Sequence, residues 1–241
     1  MPIPDAVIPV FGFDVAIVKA LNSYIGAWPV FDKIIWVVSS NPIFKGFLFV
    51  SILWWLGMRE RATSDNGFAF ALRWIVGLFV GIVIARYVQN FVPSHLRPIS
   101  EPALGLQAFK STDMAYFARL YSFPSDHAVM FFALSTAIFA RHSALGMVAF
   151  VWSMLLICLP RIYFGYHYPS DILAGAALGV AIMAAALAMP VPAFAIRWAD
   201  LIERKAPGLG YGFAFFISAE IAVNFDHLRD IVIGLGKIAG S

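Results

Sequence analysis

The chain has 241 residues, of which 61% are hydrophobic and only 13% charged. An average soluble domain carries about 25% charged residues, so this composition excludes an ordinary soluble enzyme and points to a polytopic membrane protein. The net charge of +3 is small and scattered, which argues against a nucleic-acid partner.

Residues 7–40 carry Asp14, Lys19, Asp32 and Lys33 among apolar neighbours. That spacing predicts amphipathic helices lying in the membrane interface, with a helical hairpin dipping into the membrane as the alternative. The N-terminus has no basic region before its apolar stretch, so a cleaved signal peptide is not expected. About 20 apolar residues cross a bilayer as a helix. Five runs approach this length: Ile43–Met58, Phe68–Val92, His127–Ala140, Ala144–Tyr163 and Ile172–Met189. A sixth, Tyr211–Val223, is short and spans only if it continues through Asn224 and His227. The expected fold is therefore all-α: a polytopic membrane helix bundle of about six spans with N-terminal interfacial helices. There is no repeat or linker, so residues 1–241 read as one domain, with interfacial helices over 1–41 and a transmembrane core over 42–236. The lone Cys158 lies in an apolar run and has no partner for an intrachain disulfide.

With six spans, one membrane side carries Arg59, Arg61, Arg141, Arg197, Arg204 and Lys205. The other carries Lys110 and Arg119 besides the arginines of the motifs below. The positive-inside rule makes the first side cytoplasmic. Gly77-x3-Gly81 and Gly175-x3-Gly179 place small residues on one face of the second and fifth spans, where close packing is the expected reason and coincidence the alternative. The outward segment from Pro93 to Phe123 is long, as functional loops often are. Within it, Thr112–Tyr121 is expected to form a short interfacial helix with Met114, Phe117, Ala118 and Tyr121 on one side.

Three polar clusters sit at the ends of apolar runs: Asn90-x6-Arg97-Pro98, Pro124-Ser125-Asp126-His127 and Arg161-x5-His167-x3-Asp171. Alternation of the runs puts all three on the outward side. Two segments echo each other, Phe123-Pro124-Ser125-Asp126 and Tyr168-Pro169-Ser170-Asp171, each directly before an apolar helix. Proline suits a first helical turn, and serine or aspartate caps free N–H groups. Two helix N-termini thus open outward and favour an anion. Arginines hold phosphate oxygens, and histidines serve as nucleophile or acid. The inventory reads as a phosphate-ester or diphosphate hydrolase at a membrane surface. No cofactor is called for, and no cluster offers a convincing metal-ligand set. His95 and His227 read as interfacial, as do Tyr163, Tyr166 and Tyr168.

The clusters resemble the three signature motifs of the type-2 phosphatidic acid phosphatase superfamily: Lys-x6-Arg-Pro, Pro-Ser-Gly-His and Ser-Arg-x5-His-x3-Asp. The third departs only at Pro160, the second only at Asp126, and the first has Asn90 in place of lysine. The resemblance implies that His167 attacks phosphorus and that His127 protonates the leaving oxygen and later helps activate water. It implies that Asp171 accepts the other ring N–H of His167. Arg97, Arg161, Ser125 and Asn90 then bind phosphate, Asn90 more weakly than a lysine. Arg86, one turn before Asn90, either compensates for the missing charge or lines the bundle. Asp126 should weaken phosphate binding unless it points away or pairs with an arginine. The Pro-Ser-Asp-His variant is similar to the bacitracin-resistance type of undecaprenyl-diphosphate phosphatase, which tilts the substrate toward a polyprenyl diphosphate. The expected substrate is a lipid phosphate or polyprenyl diphosphate drawn from the membrane. A lipid phosphotransferase and a non-catalytic lipid-phosphate binder or transporter are the alternatives.

Overall fold

The computed structural model describes residues 9–61, 66–117, 121–225, 227 and 231. Its helices are α1 (Gly12–Asn22), α2 (Pro29–Ser40), α3 (Leu48–Arg61), α4 (Asn66–Phe91), α5 (Met114–Phe117), α6 (Asp126–Arg141), α7 (Ser143–Trp152), α8 (Leu159–Tyr163), α9 (Pro169–Ala188), α10 (Ala193–Lys205) and α11 (Pro207–Ala222). A π-helical turn, Ser153–Cys158, joins α7 to α8. Pro160 lies two residues past its end. Proline has no N–H to give and its ring crowds the preceding turn, so a widened turn is the expected accommodation. Another π-turn, Ile43–Phe47, leads into α3.

The chain is a polytopic membrane helix bundle. Among the described residues, three stretches are long and apolar enough to cross a bilayer: Gly67–Phe91, Ser143–Tyr163 and Pro169–Ala188. A fourth would combine Pro29–Ser40 with Ile43–Arg59, which meet at a 60° bend. Helices α6 and α11 have 16 residues each, about 24 Å at 1.5 Å per residue, against about 30 Å of hydrocarbon. α6 is sheathed by protein: Val129, Met130, Phe131, Leu134 and Ile138 are all buried. Met130, Phe131, Leu134 and Ile138 join Phe49, Leu53, Trp74 and Leu78 in the main core. The continuation of the last run through Asn224 does not form, because α11 ends at Ala222 and Asn224 and Phe225 take left-handed φ values of 59° and 56°.

The spaced glycines are packing residues. A Cβ on Gly179 would lie 2.2 Å from the Val129 carbonyl oxygen, and one on Gly175 2.6 Å from that of Ser125. α6 and α9 therefore touch backbone to backbone, a contact that any side chain would break. A Cβ on Gly77 would meet the Ala186 methyl at 2.7 Å, bringing α4 against the same helix.

The N-terminal helices differ from the amphipathic reading. Their acids face protein, and their large apolar side chains face out. Asp14 and Asp32 are buried, whereas Phe13, Ile17, Val30, Phe31 and Ile34 are exposed. Asp14 accepts from Ser170 N at 2.9 Å and Ser170 Oγ at 2.8 Å. Asp32 accepts from Gly26 N at 2.8 Å and from the Tyr163 hydroxyl. Both carboxylates are thus anchors into the bundle, which satisfies them without headgroup water. Among the described residues, the short outer helix covers Met114–Phe117. Tyr121 is not part of it but pairs with Leu96 in an isolated antiparallel bridge. Ala118 and Arg119 lie outside the described residues. α10 had no counterpart in the apolar runs. It shows Phe194, Trp198 and Leu201 to the outside beside Arg197, Arg204 and Lys205.

Candidate active site

The α6–α9 contact sets the two helix starts side by side. Ser125 N donates to the Asp171 carbonyl at 3.1 Å across that contact. Ser125 caps α6, its Oγ accepting from Ala128 N at 3.4 Å, and leaves its hydroxyl proton to give elsewhere. The echoing segments are used in different register. α6 begins at Asp126, after the serine, but α9 begins at Pro169, so Asp171 falls in its first turn and accepts from Tyr168 N at 2.8 Å. The intervening segment of the third motif folds back on Arg161, whose carbonyl accepts from Tyr166 N at 2.8 Å and His167 N at 3.2 Å. Gly165 makes that reversal at φ 71°, a conformation that suits glycine.

One half of the site surrounds His167. Its Nδ1 lies 2.9 Å from the Ser122 carbonyl. A carbonyl only accepts, so Nδ1 carries the proton and Nε2 is the free base. Nε2 lies 3.2 Å from Arg97 Nη1, which also reaches the Tyr166 carbonyl at 3.2 Å. The guanidinium of Arg97 sits 5.1 Å from the Phe117 ring centroid. Burial lowers the pKa of His167 below its ordinary 6.5, the Arg97 charge lowers it further, and Asp171 opposes both.

Asp171 stands behind this histidine less directly than the motif implies. Its Oδ2 is 3.6 Å from His167 Nδ1, too long for a hydrogen bond. Ser122 Oγ donates to Oδ2 at 2.6 Å, and His95 Nε2 lies 2.9 Å from Oδ1. Asp171 thus fixes Ser122, whose carbonyl in turn fixes the imidazole. His95, read from sequence as interfacial, is buried in this cluster.

The other half surrounds His127. Arg161 Nη2 lies 2.9 Å from His127 Nε2 and donates to the Ser39 carbonyl at 3.2 Å. Because a guanidinium only donates, Nε2 accepts and the proton sits on Nδ1. Nδ1 lies 3.0 Å from Asp126 Oδ1. Asn224 Nδ2 donates to the other oxygen of Asp126 at 3.0 Å. Asp126 therefore turns back onto its own histidine and offers it an oriented carboxylate. Its hydrogen-bond partners are thus His127 and Asn224, and the Arg86 charge acts on it as well.

Asn90 is not brought into either half. It is exposed, and its Nδ2 donates to the Arg86 carbonyl of its own helix at 2.6 Å. Its neighbour Gln89 is the buried residue, with Nε2 donating to the Pro124 carbonyl at 2.5 Å. Arg86 lines the bundle, Nη2 donating to the Asn224 carbonyl at 2.5 Å. The three tyrosines are walls rather than interface anchors. All are buried, Tyr163 bonds Asp32, and Tyr166 stacks on Phe117 at 4.5 Å while its hydroxyl meets Thr112 Oγ1 at 3.0 Å. His227 is exposed and pairs with Glu220 at 3.1 Å, apart from both clusters. Among the described residues, no three His, Cys, Asp or Glu side chains are grouped as metal ligands. An apolar groove of about 600 Å³ is lined by Trp28, Ile34, Ile35, Leu159, Tyr163 and Pro160, the residue before Arg161 in the chain.

The family model described as the PAP2 superfamily matches residues 74–195. The chain is 44% identical over 61 residues to bacitracin transport permease protein BcrC of Bacillus licheniformis, covering 24% of this chain and 29% of that protein. It is 31% identical over 126 residues to the lipid A 1-phosphatase of Rhizobium etli, covering 49% of this chain and 52% of that one. The matched stretch thus spans at most about half the length of either relative. The crystal structure of a transmembrane PAP2-type phosphatidylglycerolphosphate phosphatase from Bacillus subtilis aligns with a TM-score of 0.47 at 16% identity, over 73% of this chain and 83% of that one.

Proposed function

We propose that this chain, which belongs to the PAP2 superfamily, is an integral-membrane lipid phosphatase that works through a phosphohistidine. The observation that carries the reading is the paired arrangement of the two histidines. Each has Nδ1–H held by an oxygen and Nε2 against an arginine. In the proposed reaction the phosphate oxygens take over Arg97 and Arg161, which frees both Nε2 atoms. His167 Nε2 attacks phosphorus as the bond to the leaving oxygen breaks. His127, protonated on Nε2 and backed by Asp126 at Nδ1, gives that proton to the leaving oxygen. It then takes a proton from the water that cleaves the N–P bond and releases phosphate. The arginines hold the charge that builds on the non-bridging oxygens. Ser125 adds a hydroxyl donor.

Similarity to a lipid A 1-phosphatase supports a phosphorylated lipid as substrate, and the Pro124-Ser125-Asp126-His127 variant tilts the choice toward a polyprenyl diphosphate. The groove offers an apolar surface for a tail. The site faces outward, away from Arg59, Arg141, Arg204 and Lys205. A cysteine placed at the exposed Gln107 should react with an impermeant thiol reagent in intact cells, or in spheroplasts behind an outer membrane. One placed at the exposed Asp200 should react only after the membrane is opened, and the reverse pattern refutes the orientation.

The deciding experiment offers purified protein a panel of lipid mono- and diphosphates, with and without an acceptor lipid. Release of inorganic phosphate, insensitive to chelators and inhibited by vanadate, is expected. Transfer to the acceptor in place of release would make the protein a phosphotransferase. Absence of any turnover would leave a binder or transporter.

A further inference from the structure

The family pattern places a lysine where this chain has Asn90, so the phosphate clamp begins one positive charge short. On α4, Arg86 turns to the carbonyls of Asn224 and Phe225 at the end of α11, and its charge acts on Asp126. Another buried cation lies outside α4, in the segment before α3. Lys45 lies in the π-turn between α2 and α3 and is 8% exposed. Its backbone leaves the helical region at φ −101°, ψ −106°. The turn is clamped on both sides. Trp152 Nε1 donates to the Phe44 carbonyl at 2.9 Å, and a Cβ on Gly46 would lie 2.3 Å from Ala222 Cα. Just before the turn, Ser39 gives its carbonyl to the same Arg161 nitrogen that meets His127. Ala222, against which Gly46 packs, is two residues before Asn224, whose Nδ2 donates to Asp126 beside His127, and the Lys45 charge acts on the His127 ring. A buried ammonium in a membrane protein is costly, and such residues mark functional sites.

We propose that Lys45 supplies, from the α2–α3 turn, the phosphate-binding cation that position 90 lacks. The inference rests on the phosphatase reading above. Lys45 Nζ would hold a non-bridging oxygen on the His127 side of phosphorus, beside Arg161, where charge rises as the leaving group departs. The cation thus comes from an N-terminal segment outside the three motifs rather than from the helix that leads into Arg97.

The test compares wild type, Lys45→Gln and Lys45→Arg in detergent. Lys45→Gln should lower kcat/KM about 10²-fold and weaken vanadate inhibition about tenfold or more, at unchanged melting temperature. Lys45→Arg should regain part of both. A purely structural lysine would not change vanadate affinity in a protein that melts normally. Wild-type kcat/KM and vanadate inhibition in Lys45→Gln would overturn the inference while leaving the phosphatase reading intact. Should Lys45→Gln fail to fold, amine modification of wild-type Lys45 is followed by mass spectrometry. Slowing by vanadate supports the inference and equal rates overturn it. A wild type that turns over no lipid phosphate and ignores vanadate would remove the phosphatase reading, and this inference with it.

Discussion

The two histidines of the site are held in opposite ways. The His167 side chain is 1% exposed, and its Nδ1–H goes to a backbone carbonyl that stays neutral throughout. The His127 side chain is 16% exposed, and its Nδ1–H goes to a carboxylate. A neutral acceptor in a buried pocket keeps an imidazole unprotonated, with a fixed lone pair, which suits a nucleophile. A carboxylate stabilises the imidazolium and so suits a group that must gain and give a proton. The contrast teaches that a family resemblance assigning an acid to His167 can be satisfied at one remove, through Ser122. The unusual acid at position 126 meanwhile serves the other histidine directly.

Removing His167 should have the largest effect on this division. His167→Ala should abolish turnover and any acid-labile phosphoryl-enzyme, and an active His167→Ala protein would end the comparison. His127→Ala should slow turnover by about 10² to 10⁴, the usual worth of acid–base help. A nitrophenyl phosphate, whose leaving group needs little protonation, should restore phosphoryl-enzyme formation in His127→Ala but not in His167→Ala. Phosphate trapped on His127 would reverse the roles.

Two smaller effects sharpen the contrast. Asp126→Asn should cost about 10- to 10²-fold in kcat, the worth of a hydrogen bond to a charged group. Ser122→Ala should cost only a few-fold, about 1 kcal/mol, because the carbonyl that holds Nδ1 remains. Equal losses would mean that the two supports do not differ. The pH profile is the finest probe. If His167 attacks as the neutral base, its lowered pKa puts the acid limb of kcat/KM below pH 6.5. Arg97→Gln removes a charge that disfavours protonation, so in that weaker enzyme the limb should move to higher pH. A limb that does not move would detach it from His167.

Much of this site was legible in sequence because the motif residues lie within short windows at the ends of apolar runs. His127 and His167 could be picked out, and Gly175 and Gly179 pointed to tight packing. The supports were not legible because each acts across a long separation. His95 meets Asp171 76 residues away, and Ser122 meets it across 49. Periodicity reports which face of a helix is apolar but not which buried polar groups will meet. Asp14 and Asp32 show the cost. As charges among apolar neighbours they read as wet, but Ser170 and Tyr163, 156 and 131 residues away, let them lie dry. Asn90 failed for a local reason, since an amide in the last turn of a helix can bond back to a carbonyl four residues earlier.

The Ser39 carbonyl that receives Arg161 is a main-chain atom. Every residue type provides one, so almost any substitution at that position keeps the acceptor. What the contact demands is phase. One residue added within α2 would turn everything after it by about 100° and advance it by about 1.5 Å. That would swing the Ser39 carbonyl away from the guanidinium and move the Lys45 turn with it. The N-terminal helices should accordingly be free to drift in sequence and fixed in length, with the count of residues, more than their identity, being what the site inherits from them.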